Sequence, residues 1–498
     1  MIDRLRRGTA DGLWMGLVFL LPITSMPLIV NLLRSNVVAS PSILLLVGLV
    51  FIWFLPYVWQ SGSLPRQALP LLAFVLAAVF ATALSSFWRV PPYKDISGLR
   101  NSLSAMGTLF IGVCFYLVAS VYANSEKRLE QVLRWLNWSG LVVICWSLLQ
   151  TAVWFGLGRY PEWLRTIHGW YSVGTLFRQR TTGFALEPSW LAHQLNLLFL
   201  PFWLAAVVRR HSVHRLRVLK KLIAEDFLLA GGVVVLGLTL SRVGLLAFLL
   251  MVAYLLVRVN IWLKRMVQGW VFRRWAKETG RMRLKEHLLG WGVTLVMLAV
   301  YSGLFLGVGF ILSMVDPRMG DLFNFSLRQE NPLLAYANAL NFSSRLVYWE
   351  GGWNIFNDHA LFGVGLGNAG FFFPDKLSGY AWWLVEVRDL VFRSSTLLNV
   401  KSLWVRLLAE TGIIGFSLFS VWFYLMWQTG RALEGEDGLL KKRMALASQF
   451  LVIGFMIEGF SVDSFAMPYL WFSAGLVTAA YFLDYSGQGA SCPEKRTF

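Results

Sequence analysis

The chain has 498 residues, of which 57% are hydrophobic and only 14% charged. A soluble domain carries roughly 45–50% apolar and about 25% charged residues, so a soluble globular protein is excluded. The formal net charge of +18 would suit a nucleic-acid binder, but the placement of the basic residues along the chain excludes that reading.

The apolar residues cluster in runs close to the ~20 residues that cross ~30 Å of hydrocarbon. Inside lipid a backbone must satisfy its own polar groups, so each run must be a helix. The first run follows Arg4, Arg6 and Arg7 and lacks a small-residue cleavage site, so it is expected to stay as a helix. Spans are expected at 13–33, 42–59, 68–87, 102–123, 136–157, 183–208, 222–240, 243–262, 288–314, 402–427, 445–461 and 465–485. The fold class is therefore all-α, a polytopic transmembrane bundle of about twelve helices. Cys114, Cys145 and Cys492 have no metal-ligand spacing and suggest no disulfide framework.

Lysine and arginine concentrate in two loops, Arg209 to Lys221 and Lys264 to Lys285. The positive-inside rule places both loops, and both termini, in the cytoplasm. Contact with anionic headgroups is the plain reading of these loops. The loop 315–401 then lies outside and is too long for a simple connector.

Charged and polar residues in spans are expensive and ask for a reason. The sixth span contains Glu187 and Gln194 on one helical face and Ser189, His193 and Asn196 on the opposite one. A helix polar on both faces cannot face lipid, so this span is expected to be central and to line a wet cavity. Inter-helix hydrogen bonding is the structural alternative. The turn Thr239-Leu240-Ser241-Arg242-Val243-Gly244 joins two apolar runs almost without a loop and pins Arg242 at the outer membrane edge. A snorkelling anchor and a preorganised anion ligand both fit it. In the long loop, Leu346, Trp349, Trp353 and Phe356 recur at helical spacing against polar Arg345, Glu350, Asn354 and Asp358. This pattern predicts an amphipathic helix in the outer interface. Gly363-Val364-Gly365-Leu366-Gly367-Asn368 lacks the context of a phosphate loop and reads as a tight turn. His359 precedes it. Arg406 and Glu410 are spaced i, i+4 and can pair on one helix. Glu458 and Asp463 fall at the outer end of the eleventh span, where a solvated helix end is the plain reading. Arg180, Arg242, Arg345, Arg393 and Lys401 together put cations at outer segment edges. They imply an anionic ligand approached from the outer leaflet, and a lipid-linked pyrophosphate fits the charge, place and hydrophobic setting.

Several of these pieces, in order, resemble one family. They are Arg180-Thr181-Thr182-Gly183 with Glu187-Pro188-Ser189, then Thr239-Leu240-Ser241-Arg242, then Arg345 with Trp349 and the segment Asp358 to Asn368, then Leu403 to Gly415 containing Ala409-Glu410-Thr411-Gly412. The set resembles the O-antigen polymerase and ligase superfamily over roughly residues 175–430. The resemblance implies a GT-C-like, metal-independent glycosyltransferase without a cofactor. Its donor and acceptor would be glycans on undecaprenyl pyrophosphate, handled on the periplasmic side of a bacterial inner membrane. A chain-length regulator and a flippase are the protein partners it implies, and nucleic acid is not one. It divides the chain into N-terminal helices 1–157, a catalytic region 158–427 and C-terminal helices with a tail, 428–498.

The resemblance assigns Arg180, Arg242 and Arg345 to pyrophosphate binding, and Lys401 joins them as a cation at an outer segment edge. Glu187 is the candidate base with Arg180 and Arg242 as its catalytic companions, and His359, Arg406 and Glu410 are further candidates. Ligases usually carry His-Asn where this chain has Lys401-Ser402, which favours a polymerase. A ligase, a transporter or flippase of lipid-linked sugars, and a non-catalytic assembly scaffold are the alternatives. The absence of an internal repeat weighs against the transporter. No metal site is expected.

Overall fold

The computed structural model describes residues 2–33, 39–60, 62–85, 87, 90–214, 217–218, 222–275, 282–315, 320, 336–338 and 342–486. Cys492 and parts of the two basic loops lie outside the described residues. The helices in chain order are α1 (Ile2–Leu20), α2 (Pro27–Leu33), α3 (Ser42–Trp59), α4 (Leu69–Ser85), α5 (Gly98–Tyr122), α6 (Glu126–Leu157), α7 (Glu162–Tyr171) and α8 (Pro188–Arg209). They continue as α9 (Ala224–Leu238), α10 (Arg242–Trp275), α11 (Met282–Val315), α12 (Ser343–Asp358), α13 (Ala369–Lys376), α14 (Leu403–Glu434), α15 (Leu439–Glu458) and α16 (Pro468–Ser486). One short antiparallel ribbon pairs Arg217–Val218 with Leu222–Ile223 inside a basic loop.

Among the described residues, eight helices are long and apolar enough to cross a bilayer, and they coincide with eight of the expected spans. Helices also stand at the other four positions, α1, α9, α15 and α16, but they fall short in length or apolar content. Large apolar side chains such as Leu76 (70% exposed) and Phe110 (64%) point away from the protein. Such faces are stable only against another apolar medium. The chain is a multi-pass membrane helical bundle.

Contacts divide the chain into two units, residues 1–241 with 344–498, and residues 242–343. In the second unit α10 and α11 run antiparallel. The hydroxyl of Tyr301 donates to the Leu249 carbonyl at 2.9 Å, and Asn260 donates to Thr294 at 3.4 Å.

The first unit is organised around α8, whose apolar stretch is almost wholly buried. Close approach of α5 and α16 depends on small residues: a Cβ at Gly475 would come within 2.6 Å of the Tyr116 carbonyl. Three expected helices differ from the prediction. The first span does not run to residue 33, because α1 ends at Leu20 and Pro22 follows. The Pro22 carbonyl left over by the break accepts a hydrogen bond from Gln194 of α8 at 2.8 Å. The sixth span starts at Pro188, not 183, and Glu187 is its extended N-cap. Residues Leu195–Phe199 of this helix form a π-turn.

The third difference lies in α14, which breaks at Gly412 (φ 62°, ψ −167°). The glycine-rich segment before it fills the break. Val364 and Gly365 N–H donate to the Ala409 and Glu410 carbonyls at 2.9 Å each, and Ile413 N–H donates to the Ala360 carbonyl at 2.8 Å. Gly363, Gly365 and Gly367 all take positive φ. Any Cβ at Gly363 would lie 2.5 Å from the Glu410 backbone. The expected tight turn is therefore present, and its role is to satisfy a broken span.

The described part of the long loop is a folded module with its own core of Val347, Tyr348, Ile355, Val364, Phe373, Val387, Leu398 and Val400 among others. This corrects the simple amphipathic reading of α12. Its buried face is Val347, Tyr348 and Ile355, whereas Leu346 and Trp353 remain 37% and 50% exposed. The cause is the pair Gly351-Gly352. A Cβ there would meet Phe373 at 2.7 Å and Val405 at 2.7 Å, so those side chains can press on the helix axis.

Candidate functional site

Three of the sequence-predicted cations converge in the first unit. Ser402 N-caps α14, and Lys401 just before it holds a left-handed backbone with φ 58°. That turn aims the Lys401 N–H at the Asp463 carboxylate, 3.2 Å away, and its carbonyl at Arg345 Nη1, 3.4 Å away. Arg345 Nη1 also donates to the Ser461 carbonyl at 3.2 Å. One turn into α14, Arg406 donates to the Asp463 carbonyl and pairs with Glu410 at 2.9 Å, as the i, i+4 spacing predicted. The Lys401 ammonium lies 3.5 Å from Glu386 and over the Tyr348 ring. The floor of the group is the segment after α15: the Gly459 carbonyl accepts from Leu403 N–H at 2.7 Å.

The electrostatics separate these cations. Arg406 and Lys401 each have a carboxylate partner. Among the described residues Arg345 has two carbonyls for its Nη1 and longer-range fields from Asp463, Glu386 and Glu187. Burial lowers its pKa below the usual arginine value, and those carboxylates do not restore it. Arginine stays protonated regardless. Arg345 is thus a half-buried cation that its surroundings under-compensate, the electrostatic condition that favours an anionic ligand.

The other candidates fall in different places. Glu187 contributes to the field at Arg345, but it is an N-cap in extended conformation and not a helical neighbour of Gln194. The expected shared face of Glu187 and Gln194 is corrected accordingly. Pro188 at the first helical position imposes this start. Arg180 donates through Nε to the Thr239 carbonyl at 2.9 Å and stacks over Phe177. Its motif is folded by Gln150 of α6, which accepts from Thr181 Oγ1 and Gly183 N–H at 2.9 Å each. Arg242 opens α10 and belongs to the second unit. The turn before it is as short as expected, with Leu240 at φ 50°. His359 follows the far end of α12, about 20 Å along the helix from Arg345, and packs edge-on against Phe372. Arg393 is an exposed partner of Asp389.

Two buried groups were misread or missed. Glu458 is not a solvated helix end. It is 1% exposed, in contact with His193, and accepts from Asn196 at 2.6 Å. The polar faces of α8 therefore pair with Pro22 and Glu458, the inter-helix alternative to a wet cavity. Second, Glu225 of α9 and Arg443 of α15 are both 0% exposed and lie 3.5 Å apart. Asn137 donates to Glu225 at 3.1 Å and accepts from Trp203 at 2.9 Å. Glu386 and Asp463 complete the Arg345 group. Only the position of Asp463 past a span hinted at it, and Glu386 carries no local signal.

No family model and no curated protein matches the chain.

Proposed function

We propose that this chain is a glycosyltransferase that polymerises undecaprenyl-pyrophosphate-linked repeat units at the periplasmic face of a bacterial inner membrane. In this reading it has about twelve spans and cytoplasmic termini. The observation that supports it best is Arg345, an under-compensated cation held by backbone carbonyls beside Lys401, Arg406 and Asp463. The ordered motifs from Arg180 to Gly415 supply the family context.

The chemistry follows from charge. A hydroxyl oxygen of the acceptor sugar bonds to the anomeric carbon of the donor. The bond from that carbon to the pyrophosphate oxygen breaks, and the electron pair leaves with the phosphate. Arg345, with Arg180 assigned by the resemblance, stabilises the growing negative charge. The hydroxyl proton passes to a carboxylate, for which Glu187 and Asp463 are the candidates near Arg345. Undecaprenyl pyrophosphate departs.

A polymerase is favoured over a ligase. Lys401-Ser402 stands where ligases carry a histidine, and His359 lies far along α12 from Arg345. A deletion strain tests the reading. Loss of a polymerase leaves single repeat units on the acceptor, whereas loss of a ligase leaves long chains on the lipid carrier. Unchanged surface glycan would overturn both. On the purified protein, Arg242→Ala is expected to abolish transfer with insertion intact, and Glu187→Gln to retain donor binding while losing turnover.

A further inference from the structure

A cleft between two helices of the first unit has no part in that chemistry. Helices α1 and α6 run parallel in register. Arg128 lies 3.7 Å from Asp11, Gln131 donates to the Met15 sulfur at 3.7 Å, and Ser139 donates to the Phe19 carbonyl at 3.0 Å. Their seam opens into a cleft of about 870 Å³.

The lining is ordered by depth. Lys127, Glu130, Gln131 and Arg134 stand at the N-terminal end of α6, Trp135 and Trp138 come next, and Phe19 and Val142 close the far end. From Lys127 to Val142 the helix rises about 22 Å. With the span beginning near residue 136, Lys127 to Arg134 stand at the headgroup level, Trp135 and Trp138 at the interface, and Phe19 and Val142 beside the upper acyl chain. Trp138 is 52% exposed, so its ring is available to the occupant.

Charge selects the kind of lipid. Arg134 is fixed by the Val213 carbonyl at 3.0 Å and matched by Glu130 at 3.1 Å. Lys127 is then the excess positive charge at the headgroup level. A soluble anion would leave the apolar half unfilled, and a zwitterionic lipid would leave Lys127 uncompensated. We infer that this seam is a binding site for one anionic phospholipid, taken from the leaflet on the N-terminal side of α1.

The test is native mass spectrometry of the purified full chain with phosphatidylglycerol or phosphatidylcholine of identical acyl chains. Retention of phosphatidylglycerol is expected to exceed that of phosphatidylcholine by about tenfold. Lys127→Glu, at an exposed position that keeps the fold, is expected to erase the difference. Val142→Trp fills the apolar end and is expected to lower retention of both lipids. Equal retention of the two lipids by the unsubstituted protein would overturn the assignment. So would phosphatidylglycerol retention that neither substitution changes.

Discussion

The chain carries two groups of interacting charges with opposite construction. Around Glu225 and Arg443 the side-chain partners come from packed helices, the loop after α8 adds the Val213 N–H and the His211 carbonyl, and both charges are wholly buried. Around Arg345 the partners are backbone carbonyls and loop carboxylates, and Lys401 keeps about a third of its side chain exposed. The first group holds α6, α8, α9 and α15 in one arrangement. The second leaves Arg345 with backbone carbonyls and no carboxylate in direct contact among the described residues. Both contain ionised groups that lipid disfavours, and the open one carries the proposed function.

The largest effect is expected from breaking the closed group. Glu225→Ala or Arg443→Ala strands a buried charge and is expected to destabilise the fold by about 3–5 kcal/mol. The double replacement Glu225→Leu with Arg443→Met is expected to recover most of that loss. Thermal unfolding in detergent reads both. A double variant as unstable as the singles would mean that the pair itself, and not the stranded charge, sets the stability.

In the open group, Arg345→Ala is expected to leave the melting temperature almost unchanged and to lower transfer from a lipid-linked donor about 10- to 100-fold. Arg345→Lys is expected to be partly active, because lysine lacks the bidentate fork. Wild-type turnover in the alanine variant would remove this group from the chemistry.

A smaller effect tests the break in α14. Gly412→Ala forces a side chain onto positive φ, 2.3 Å from the Leu361 carbonyl. The cost is expected to be about 1–3 kcal/mol, and limited proteolysis between 360 and 368 should quicken. An unaltered melting curve would show that the break is not needed.

The smallest effect is a pH dependence. Burial lowers the pKa of His168 below its ordinary value, while Tyr171 and the Gly174 carbonyl hold its ring at 2.9 Å each. The unfolded imidazole titrates near ~6.5. The folded state binds the proton less well, so this stability is fully present above ~6.5 and is lost as pH falls toward the lower folded value. His168→Gln should flatten that slope. A slope equal to the parent's would assign the dependence to other groups.

These contrasts also show what a single sequence can carry. The apolar runs were legible because lipid permits only one backbone solution for each. The Arg406–Glu410 pair was legible because both residues ride on one helix. Lys401 with Asp463, Arg345 with Ser461, and Gln194 with Pro22 were not, since each joins segments far apart in the chain. The same distance hid the ends of α1 and the break in α14. Propensity alone makes 403–434 one helix, and only the segment near Gly363 says otherwise.

That break has a consequence for how the protein is made. The glycine segment is synthesised before α14, so the groups that complete the span are translated ahead of it. A bilayer offers the Ala409 and Glu410 carbonyls no substitute partner. The tenth expected span can therefore take its final shape only after the preceding module has folded and closed upon it. Damage to residues 360–368 will consequently surface as an assembly fault in a helix whose own sequence is intact.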